Sequence, residues 1–254
     1  MAPLARNNLI HRGSRRMTAS NVAETFSSRT SITLVRGLGS AEQRAEGARR
    51  LLNVSVALVG IVAAAPVMAV VAALIKLTSR GPAIFVQTRV GLDRRDPVHG
   101  DGNGRRQLDL GGKPFRIYKF RTMHVQRKAD QVWARPDDPR VTSVGRILRK
   151  YRLDELPQLF NVLQGDMNIV GPRPEQPGIV TNLQKEITNY PLRHKVRPGI
   201  TGLAQINHHY DASIEDVRRK VSLDLEYIDK QSLTEDLKIM LRTVPVVVLR
   251  RGGW

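Results

Sequence analysis

The feature that constrains this chain most is an uninterrupted apolar run at residues 51–75, in which 25 consecutive residues include no charged side chain. As an α-helix the run would extend about 37 Å, which exceeds the roughly 30 Å hydrocarbon core of a bilayer. A helix in the core of a water-soluble protein rarely runs this far without a charge. We therefore predict that residues 49–80 form a membrane segment.

Pro66 and the basic flanks predict how this segment meets the membrane. A proline inside a helix removes a backbone hydrogen bond and kinks the helix. Arginines precede the run, and Lys76 and Arg80 follow it, so the positive-inside rule puts both flanks in the cytoplasm. A re-entrant helix-hairpin, kinked at Pro66, satisfies both observations. A straight span with a proline kink is the alternative.

The charge balance indicates an anionic partner. Lys and Arg total 41 against 23 Asp and Glu, which gives a formal net charge of +18. Nucleic acid, an anionic membrane and phosphorylated substrates all fit such a surface. Residues 1–48 lack sustained periodicity, so we predict a disordered basic arm suited to an anionic bilayer. A solvated tail without function is the alternative. The absence of cysteine excludes disulfides, thiolate zinc sites and cysteine nucleophiles.

The remaining residues, 81–254, are predicted to form one catalytic domain of the α/β (α+β) class, dominated by helix and lying in the cytoplasm. Residues 83–87 and 114–120 show strand patterning and are expected to pair as a hairpin. Helical periodicity predicts four helices. Their expected bounds are 141–152, 154–164, 215–230 and 234–249.

The pair Asp154 and Glu155 is the strongest candidate for chemistry. Pro157 is tolerated only in the first turn of a helix, so the predicted helix starts near Asp154. Acidic residues are favoured at such a start as caps, which is the simpler interpretation. The functional interpretation is that one carboxylate attacks a phosphoryl group, while its neighbour holds Mg²⁺ against phosphate charge.

Basic residues surround this pair in the sequence. Two of them stand beside Gly and Pro in tight motifs, at 171–174 and 197–202, where a rigid backbone would present an arginine for bidentate phosphate binding. Together with a membrane segment, the set indicates a phosphorylated lipid substrate. The candidate phosphate-binding residues are Lys119, Arg121, Arg149, Arg173 and Arg197.

Several of these segments resemble one known family. Residues 149–175 read RKYRLDELPQLFNVLQGDMNIVGPRPE. With PFRIYKFRTM at 114–123, DDPRVTSVGRILRK at 137–150 and RPGITGLAQIN at 197–207, this stretch is similar to the bacterial sugar transferases, the monotopic polyprenyl-phosphate phosphoglycosyl transferases. The resemblance covers residues 48–249 in order.

The resemblance implies a specific reaction at the cytoplasmic face of the bacterial inner membrane. Asp154 would attack the β-phosphate of a UDP-sugar and release UMP, and polyprenyl (undecaprenyl) phosphate would then take the sugar phosphate from Asp154. Glu155 would help to bind Mg²⁺. Such a step begins exopolysaccharide or glycoconjugate assembly. Transfer without a covalent intermediate is the alternative mechanism. The five cations match positions expected to contact phosphates or the nucleotide.

Two departures from the family pattern stand out. The loop at 92–112 is longer than the compact connection expected, which indicates an insertion near the donor side. Ala65 precedes Pro66 where serine is often found, so a hydroxyl that could satisfy a freed carbonyl is missing.

Other assignments stay open at this point. His208 and His209 could supply a base for the acceptor or simply form a polar loop. Asp166 is expected in a turn. The apolar tail from Val244 to Leu249 suits membrane contact or a homo-oligomer. A basic scaffold without catalysis is one competing function. A nucleic-acid-binding protein is another, but aromatics are only 5% and the apolar run has no role there, so we expect no nucleic-acid partner.

Overall fold

A computed structural model describes residues 39–93, 110–124, 138–207 and 213–248. The chain divides into two units, Met1–Glu46 and Gly47–Trp254. In the first unit the structure describes only the residues from Gly39 onward, which are helical. Residues 1–38 of the predicted arm, most of the loop at 92–112, and the histidines at 208 and 209 lie outside the described residues.

The apolar run forms a single long helix, α1, at Gly39–Thr78, and this helix continues through Pro66. Residues 39–48 are therefore helical, so the prediction of disorder was wrong for them. By length and composition, residues 43–78 could cross a membrane, and only 11% of the most apolar window is buried inside the protein. A core helix of a soluble protein would be mostly buried. Whether the segment spans or re-enters stays a prediction.

One face of α1 packs on the rest of the Gly47–Trp254 unit along much of its length. Near the start of the apolar run, the Asn53 amide oxygen accepts a hydrogen bond from the backbone nitrogen of Ile169 at 2.6 Å. Ala57 is fully buried one turn later. Toward the other end, Val71 and Ile75 join a buried cluster with side chains from the body. The opposite face leaves large apolar side chains exposed. Among them are Leu58, Val59, Val62, Val70 and Leu77.

The predicted hairpin is confirmed. Strand β1 covers Ile84–Val90 and strand β2 covers Pro114–Phe120. They pair antiparallel, with Ile84 opposite Phe120 and Val90 opposite Pro114. β1 thus extends past the predicted end at residue 87, because Arg89 and Val90 also find partners on β2.

Helices dominate the rest of the fold, as predicted. The expected helices at 141–152, 215–230 and 234–249 are confirmed as α2, α6 and α7. The helix expected at 154–164 begins later, and α4, α5, β3 and β4 were not predicted. The bounds are α2 Ser143–Lys150, α3 Gln158–Gln164, β3 Asn168–Val170, α4 Pro177–Glu186, β4 Gly199–Thr201, α5 Leu203–Asn207, α6 Ile214–Asp229 and α7 Leu233–Val248.

Strands β3 and β4 pair in parallel and bring two separate sequence motifs together. Asn168 lies opposite Gly199, and Val170 lies opposite Thr201. A Cβ atom on Gly199 would lie 2.1 Å from a backbone nitrogen at Gly171, so only glycine permits this approach. The motifs at 171–174 and 197–202, each of which contains glycine and proline, therefore lie side by side.

Candidate active site

The carboxylate pair lies on a short 3-10 turn, Leu153–Glu155, that joins α2 to α3. Arg152 precedes the turn with φ +54°, a left-handed conformation that is uncommon outside glycine. Neither Asp154 nor Glu155 caps a helix: α3 begins after Pro157, and its first turn receives no side-chain capping bond. The capping interpretation and the predicted helix start at Asp154 are therefore wrong. Both acidic residues are buried.

Glu155 is surrounded by cations. Its Oε1 atom accepts hydrogen bonds from Lys119 Nζ at 2.9 Å and from Arg173 Nη2 at 2.6 Å. Arg152 Nη1 lies 3.9 Å from Oε2. Burial alone would raise the pKa of Glu155, but Arg173 and Lys119 outweigh burial and hold this pKa well below its ordinary value. Glu155 is therefore ionised, and it fixes the two cations beside Asp154.

Asp154 has a different environment. Within the described residues its carboxylate accepts no hydrogen bond. Burial raises the pKa of Asp154, and the nearby charge of Lys119 opposes that rise. A carboxylate that is buried, close to cations and not hydrogen-bonded keeps its lone pairs available for an electrophile. The two neighbouring acids thus differ in their surroundings: Glu155 is paired with cations, whereas the Asp154 carboxylate has no hydrogen-bond donor among the described residues.

Arg149 approaches the pair from α2, as the sequence predicted. Its Nε atom donates to the Thr122 hydroxyl at 2.9 Å, just after β2. Burial lowers the pKa of Arg149, and the charge of Asp154 is the strongest influence opposing that change. Lys119, Arg149 and Arg173 therefore come from three different elements and meet around the dyad.

The loop that carries Arg173 has no regular structure of its own and is held by buried charge. Arg193 Nη2 donates to the backbone carbonyl of Arg173 at 3.1 Å. The same guanidinium binds Asp224 Oδ2 at 2.6 Å and donates to the Tyr190 hydroxyl at 2.9 Å. The Arg193 and Asp224 side chains are each only 2% exposed. Arg193 is thus a positioning residue for Arg173.

A second buried group fixes the next residues of this loop. Arg89 donates to the carbonyl of Pro174 at 3.0 Å, and Lys220 Nζ donates to Glu175 Oε1 at 2.9 Å. Burial raises the pKa of Glu175, but Lys220 and Arg89 outweigh it and hold the pKa at about 2. The loop is therefore tied to β1 and α6 through ionised side chains.

Sequence reasoning did not find these supporting residues, although one signal was present. Val217, Val221 and Asp224 are all buried on α6 and recur at helical spacing. An acidic residue at a core position of an amphipathic helix indicates a buried partner. For Arg193 no comparable pattern exists, because it lies in a short 3-10 segment, Tyr190–Lys195.

Two of the predicted phosphate-binding residues lie elsewhere. Arg121 is buried, and its Nη2 atom donates to the carbonyl and the hydroxyl of Ser79, both at 2.8 Å, just beyond the C-terminal end of α1. Arg197 donates to the carbonyl of Gly165 at 3.2 Å. Gly165 follows the C-terminal end of α3, whereas the dyad precedes the N-terminal end of that helix. The structure therefore does not bring these two arginines into contact with the carboxylates. Asp166 lies in the turn after α3, as expected.

The family resemblance predicts Mg²⁺ at Glu155, and the contacts of the two Glu155 oxygens show whether they could serve as its ligands. Mg²⁺ prefers carboxylate oxygens together with water and substrate phosphates. Both Glu155 oxygens already face arginine or lysine nitrogens. Within the described ranges, no group of three His, Asp or Glu side chains could hold a metal ion. This arrangement does not fit Glu155 as a ready magnesium ligand.

Comparison with known proteins matches the site to a family. The bacterial sugar transferase profile covers residues 44–250, which include both carboxylates and all five predicted cations. The chain belongs to this family. A relative from Aeromonas hydrophila is named UDP-N-acetylgalactosamine-undecaprenyl-phosphate N-acetylgalactosaminephosphotransferase. It is 42% identical over 206 residues, 81% of this chain.

Two further relatives in the family carry another sugar in their names. Proteins from Caulobacter vibrioides and Escherichia coli are both named UDP-glucose:undecaprenyl-phosphate glucose-1-phosphate transferase. They are 43% identical over 78% of this chain and 44% identical over 70% of it, respectively. The match spans 68% of the Caulobacter protein, but only 44% of the Aeromonas protein and 35% of the E. coli protein. The chain therefore corresponds to less than half of some of its relatives.

Proposed function

We propose that this chain transfers a sugar 1-phosphate from a UDP-sugar to polyprenyl phosphate and releases UMP. The observation that carries the proposal is the contrast within the dyad. Glu155 is neutralised by Lys119 and Arg173, while Asp154 beside it accepts no hydrogen bond from the described residues. Family membership and the names of the relatives support the same class of reaction.

In the first step, an Asp154 carboxylate oxygen attacks the β-phosphorus of the donor. A new O–P bond forms, the bond from that phosphorus to the bridging oxygen breaks, and its electron pair leaves with UMP. The sugar phosphate is then held as an acyl phosphate on Asp154. Lys119 and Arg173 lie close enough to Glu155 to stabilise the charge that develops on the phosphoryl oxygens.

In the second step, a phosphate oxygen of the lipid attacks the same phosphorus. The bond between Asp154 and phosphorus breaks, the carboxylate is regenerated, and the sugar leaves as a polyprenyl diphosphate derivative. Arg149, which lies on the Asp154 side of the dyad, supplies a cation for the incoming lipid phosphate. Because Glu155 stays paired throughout, only one carboxylate changes its bonding.

The proposed location is the cytoplasmic face of the bacterial inner membrane, with α1 re-entering that face. Arg50, which directly precedes the apolar run, donates to the carbonyls of Val162 and Leu163, and Ile75 at the end of the run joins one buried cluster with Phe120 of β2. Both ends of the apolar segment thus contact the same charged domain, which residues 81–254 form. A helix that crossed the bilayer perpendicularly would have to carry part of that body into hydrocarbon, where unpaired polar groups are costly.

The proposal is tested by UMP release from a panel of UDP-sugars with the detergent-solubilised protein, undecaprenyl phosphate and Mg²⁺. We expect release with at least one donor, dependent on the lipid, and loss of release in Asp154→Asn. Asp229→Asn, an exposed acidic residue on α6, is the matched control and should stay active. Relatives of similar identity differ in their sugar, so the panel rather than the comparison identifies the donor. An EDTA arm tests whether release needs Mg²⁺, which the family resemblance implies although Glu155 does not fit as its ligand.

Intact mass measurement separates the covalent mechanism from direct transfer. Incubation with the active donor alone should add the mass of one sugar phosphate to the protein, and Asp154→Asn should show no addition. Full turnover without any trapped adduct would favour direct transfer. A folded protein that releases no UMP from any donor would overturn the proposed reaction itself.

A further inference from the structure

Thr122, which lies just after β2, contacts both ends of α2. Its backbone carbonyl accepts a hydrogen bond from the backbone nitrogen of Thr142 at 3.0 Å, immediately before the first turn of the helix. Its hydroxyl accepts a hydrogen bond from Arg149 Nε at 2.9 Å, in the last turn. Thr122 is only 7% exposed. One buried residue therefore fixes two points of α2 that lie about two helical turns apart.

The start of α2 approaches Thr122 closely. Thr142 caps the helix, because its hydroxyl accepts a hydrogen bond from the backbone nitrogen of Gly145 at 2.9 Å. A Cβ atom on Gly145 would lie 2.1 Å from the carbonyl oxygen of Thr122, so this approach requires glycine. Beside the junction, Met123 pairs with Val141 in a single antiparallel bridge. These contacts leave α2 little freedom to slide or rotate against the end of β2.

The contact between the Thr122 hydroxyl and Arg149 sets the direction of a charged group beside the dyad. The guanidinium group of arginine is planar and includes Nε, so a hydrogen bond at Nε fixes the orientation of the whole plane. The charges of Arg149 and Asp154 lie close enough to influence each other. The hydroxyl therefore orients a cation that acts on the proposed nucleophile.

Thr122 also links two of the cations of the candidate site. Lys119, which donates to Glu155, lies on β2 just before Thr122. Arg149 lies on α2, which Thr122 holds at both ends. Lys119 and Arg149 therefore keep a fixed separation although they belong to different elements. Cations that are fixed before the reaction stabilise phosphoryl charge without the cost of reorganisation.

We propose that Thr122 is a positioning residue, whose hydroxyl orients the Arg149 guanidinium toward the phosphate of the acceptor lipid at Asp154. The inference rests on the proposed function, in which Arg149 meets that phosphate, and adds the residue that directs Arg149. Thr122 acts through Arg149 and has no contact of its own with the substrate. A hydroxyl that only stabilised the fold would affect both substrates alike, and this difference is the basis of the test.

Removal of the hydroxyl with little change in side-chain shape tests this role. Thr122→Val keeps the backbone carbonyl but takes away the acceptor of Arg149 Nε. The kcat/KM for undecaprenyl phosphate should fall about tenfold or more, the range expected for a hydrogen bond to a charged group. The kcat/KM for the UDP-sugar, which reports on the first step, should not change. Thr122→Ser, which retains a hydroxyl, should recover most of the loss.

Matched variants exclude a general effect on the fold. Thr181→Val removes a hydroxyl that donates to the carbonyl of Pro177 within α4, at 3.0 Å, and it should behave like the unsubstituted protein. Where valine at position 122 disturbs folding, Thr122→Ala removes the same hydroxyl without crowding. An unchanged kcat/KM for the lipid in a folded Thr122→Val or Thr122→Ala protein would overturn the proposal. Equal losses for both substrates, or an equal loss in Thr122→Ser, would do so too.

Equilibrium binding of a fluorescent polyprenyl phosphate shows whether Thr122 acts through Arg149. Thr122→Val alone should weaken binding severalfold, but in an Arg149→Met background it should cause no further loss. Equal losses in the two backgrounds would overturn the proposal. Binding needs no turnover, so this coupling in a protein that releases no UMP would retain the positioning role and reject the transferase reaction. Normal UMP release in the unsubstituted protein, together with binding insensitive to Thr122→Val, would retain the reaction and reject the positioning role.

Discussion

Replacement of Asp224 by asparagine should destabilise the protein far more than a typical surface change. Asp224 Oδ2 accepts two hydrogen bonds from Arg193, at 2.6 and 3.0 Å, and both side chains are only 2% exposed. The variant leaves the guanidinium buried without a counter-charge, and water cannot reach it. Removing one partner of a buried ion pair costs about 3–5 kcal/mol. The total stability of a domain is only about 5–15 kcal/mol.

Thermal unfolding of the solubilised protein measures this loss. For a domain of this size, 1 kcal/mol corresponds to about 2–4 °C in Tm, so a decrease of about 6–20 °C is expected. Glu215→Gln is the matched control. Its ion pair with Arg218 is 3.6 Å long and Glu215 is 82% exposed, so the free energy of unfolding should change by less than about 0.5 kcal/mol.

A double variant checks that uncompensated charge is the cause. Arg193→Met combined with Asp224→Leu leaves neither charge in the core, and much of the stability lost in Asp224→Asn should return. Because Arg193 also holds the carbonyl of Arg173, activity should stay low even where stability returns. A loss below about 1 kcal/mol in Asp224→Asn would refute the claim that this pair is sealed from water.

Three further predictions concern stability. The pKa of Glu175 is held at about 2, against an ordinary 4.5. Above pH 4.5 this carboxylate therefore contributes about 3 kcal/mol to the free energy of unfolding, and the contribution is lost as the pH falls toward 2. In urea unfolding, Glu175→Gln should remove that part of the pH dependence. Asn53→Ala leaves a buried backbone N–H of β3 unpaired and should lower the free energy of unfolding, measured in urea, by about 1–3 kcal/mol, whereas exposed Ser55→Ala should not. Gly199→Ala, whose Cβ would meet backbone at 2.1 Å, should cost at least about 1–3 kcal/mol, whereas Gly47→Ala, with open space around it, should be nearly neutral in the same assay.

The parts of the fold that could be predicted are those with a local signal. An uncharged run of 25 residues is a property of one segment, and α1 forms over it. The alternation at 114–120 likewise predicts β2 and its hairpin partner. By contrast, β3 and β4 pair across about thirty positions in the chain. Strands of three residues have too few positions to show a period, so their pairing depends on contacts that the sequence does not display.

The same distinction applies to the candidate site. The dyad itself was found from adjacent acids and from a family resemblance, and the structure brings Lys119 and Arg173 to Glu155 across 36 and 18 residues. The turn that carries the dyad was mistaken for a helix start. Arg152 adopts a left-handed conformation there, and nothing in an arginine side chain signals that backbone choice. Positive charge and the family resemblance both group Arg121 with the site, and neither reveals that this arginine binds Ser79.

The exposed apolar face of α1 has a kinetic consequence under the proposed function. A protein that this face holds in a membrane meets its lipid acceptor by lateral diffusion, without passage of the lipid through water. The rate of such an encounter depends on the number of acceptor molecules per unit area of membrane. It does not depend on the volume of the sample. Diluting vesicles with buffer that keeps the donor concentration constant should then leave turnover of the acceptor unchanged, while diluting the acceptor with inert lipid in the same vesicles should slow it. The donor, which arrives from solution, should show the opposite dependence.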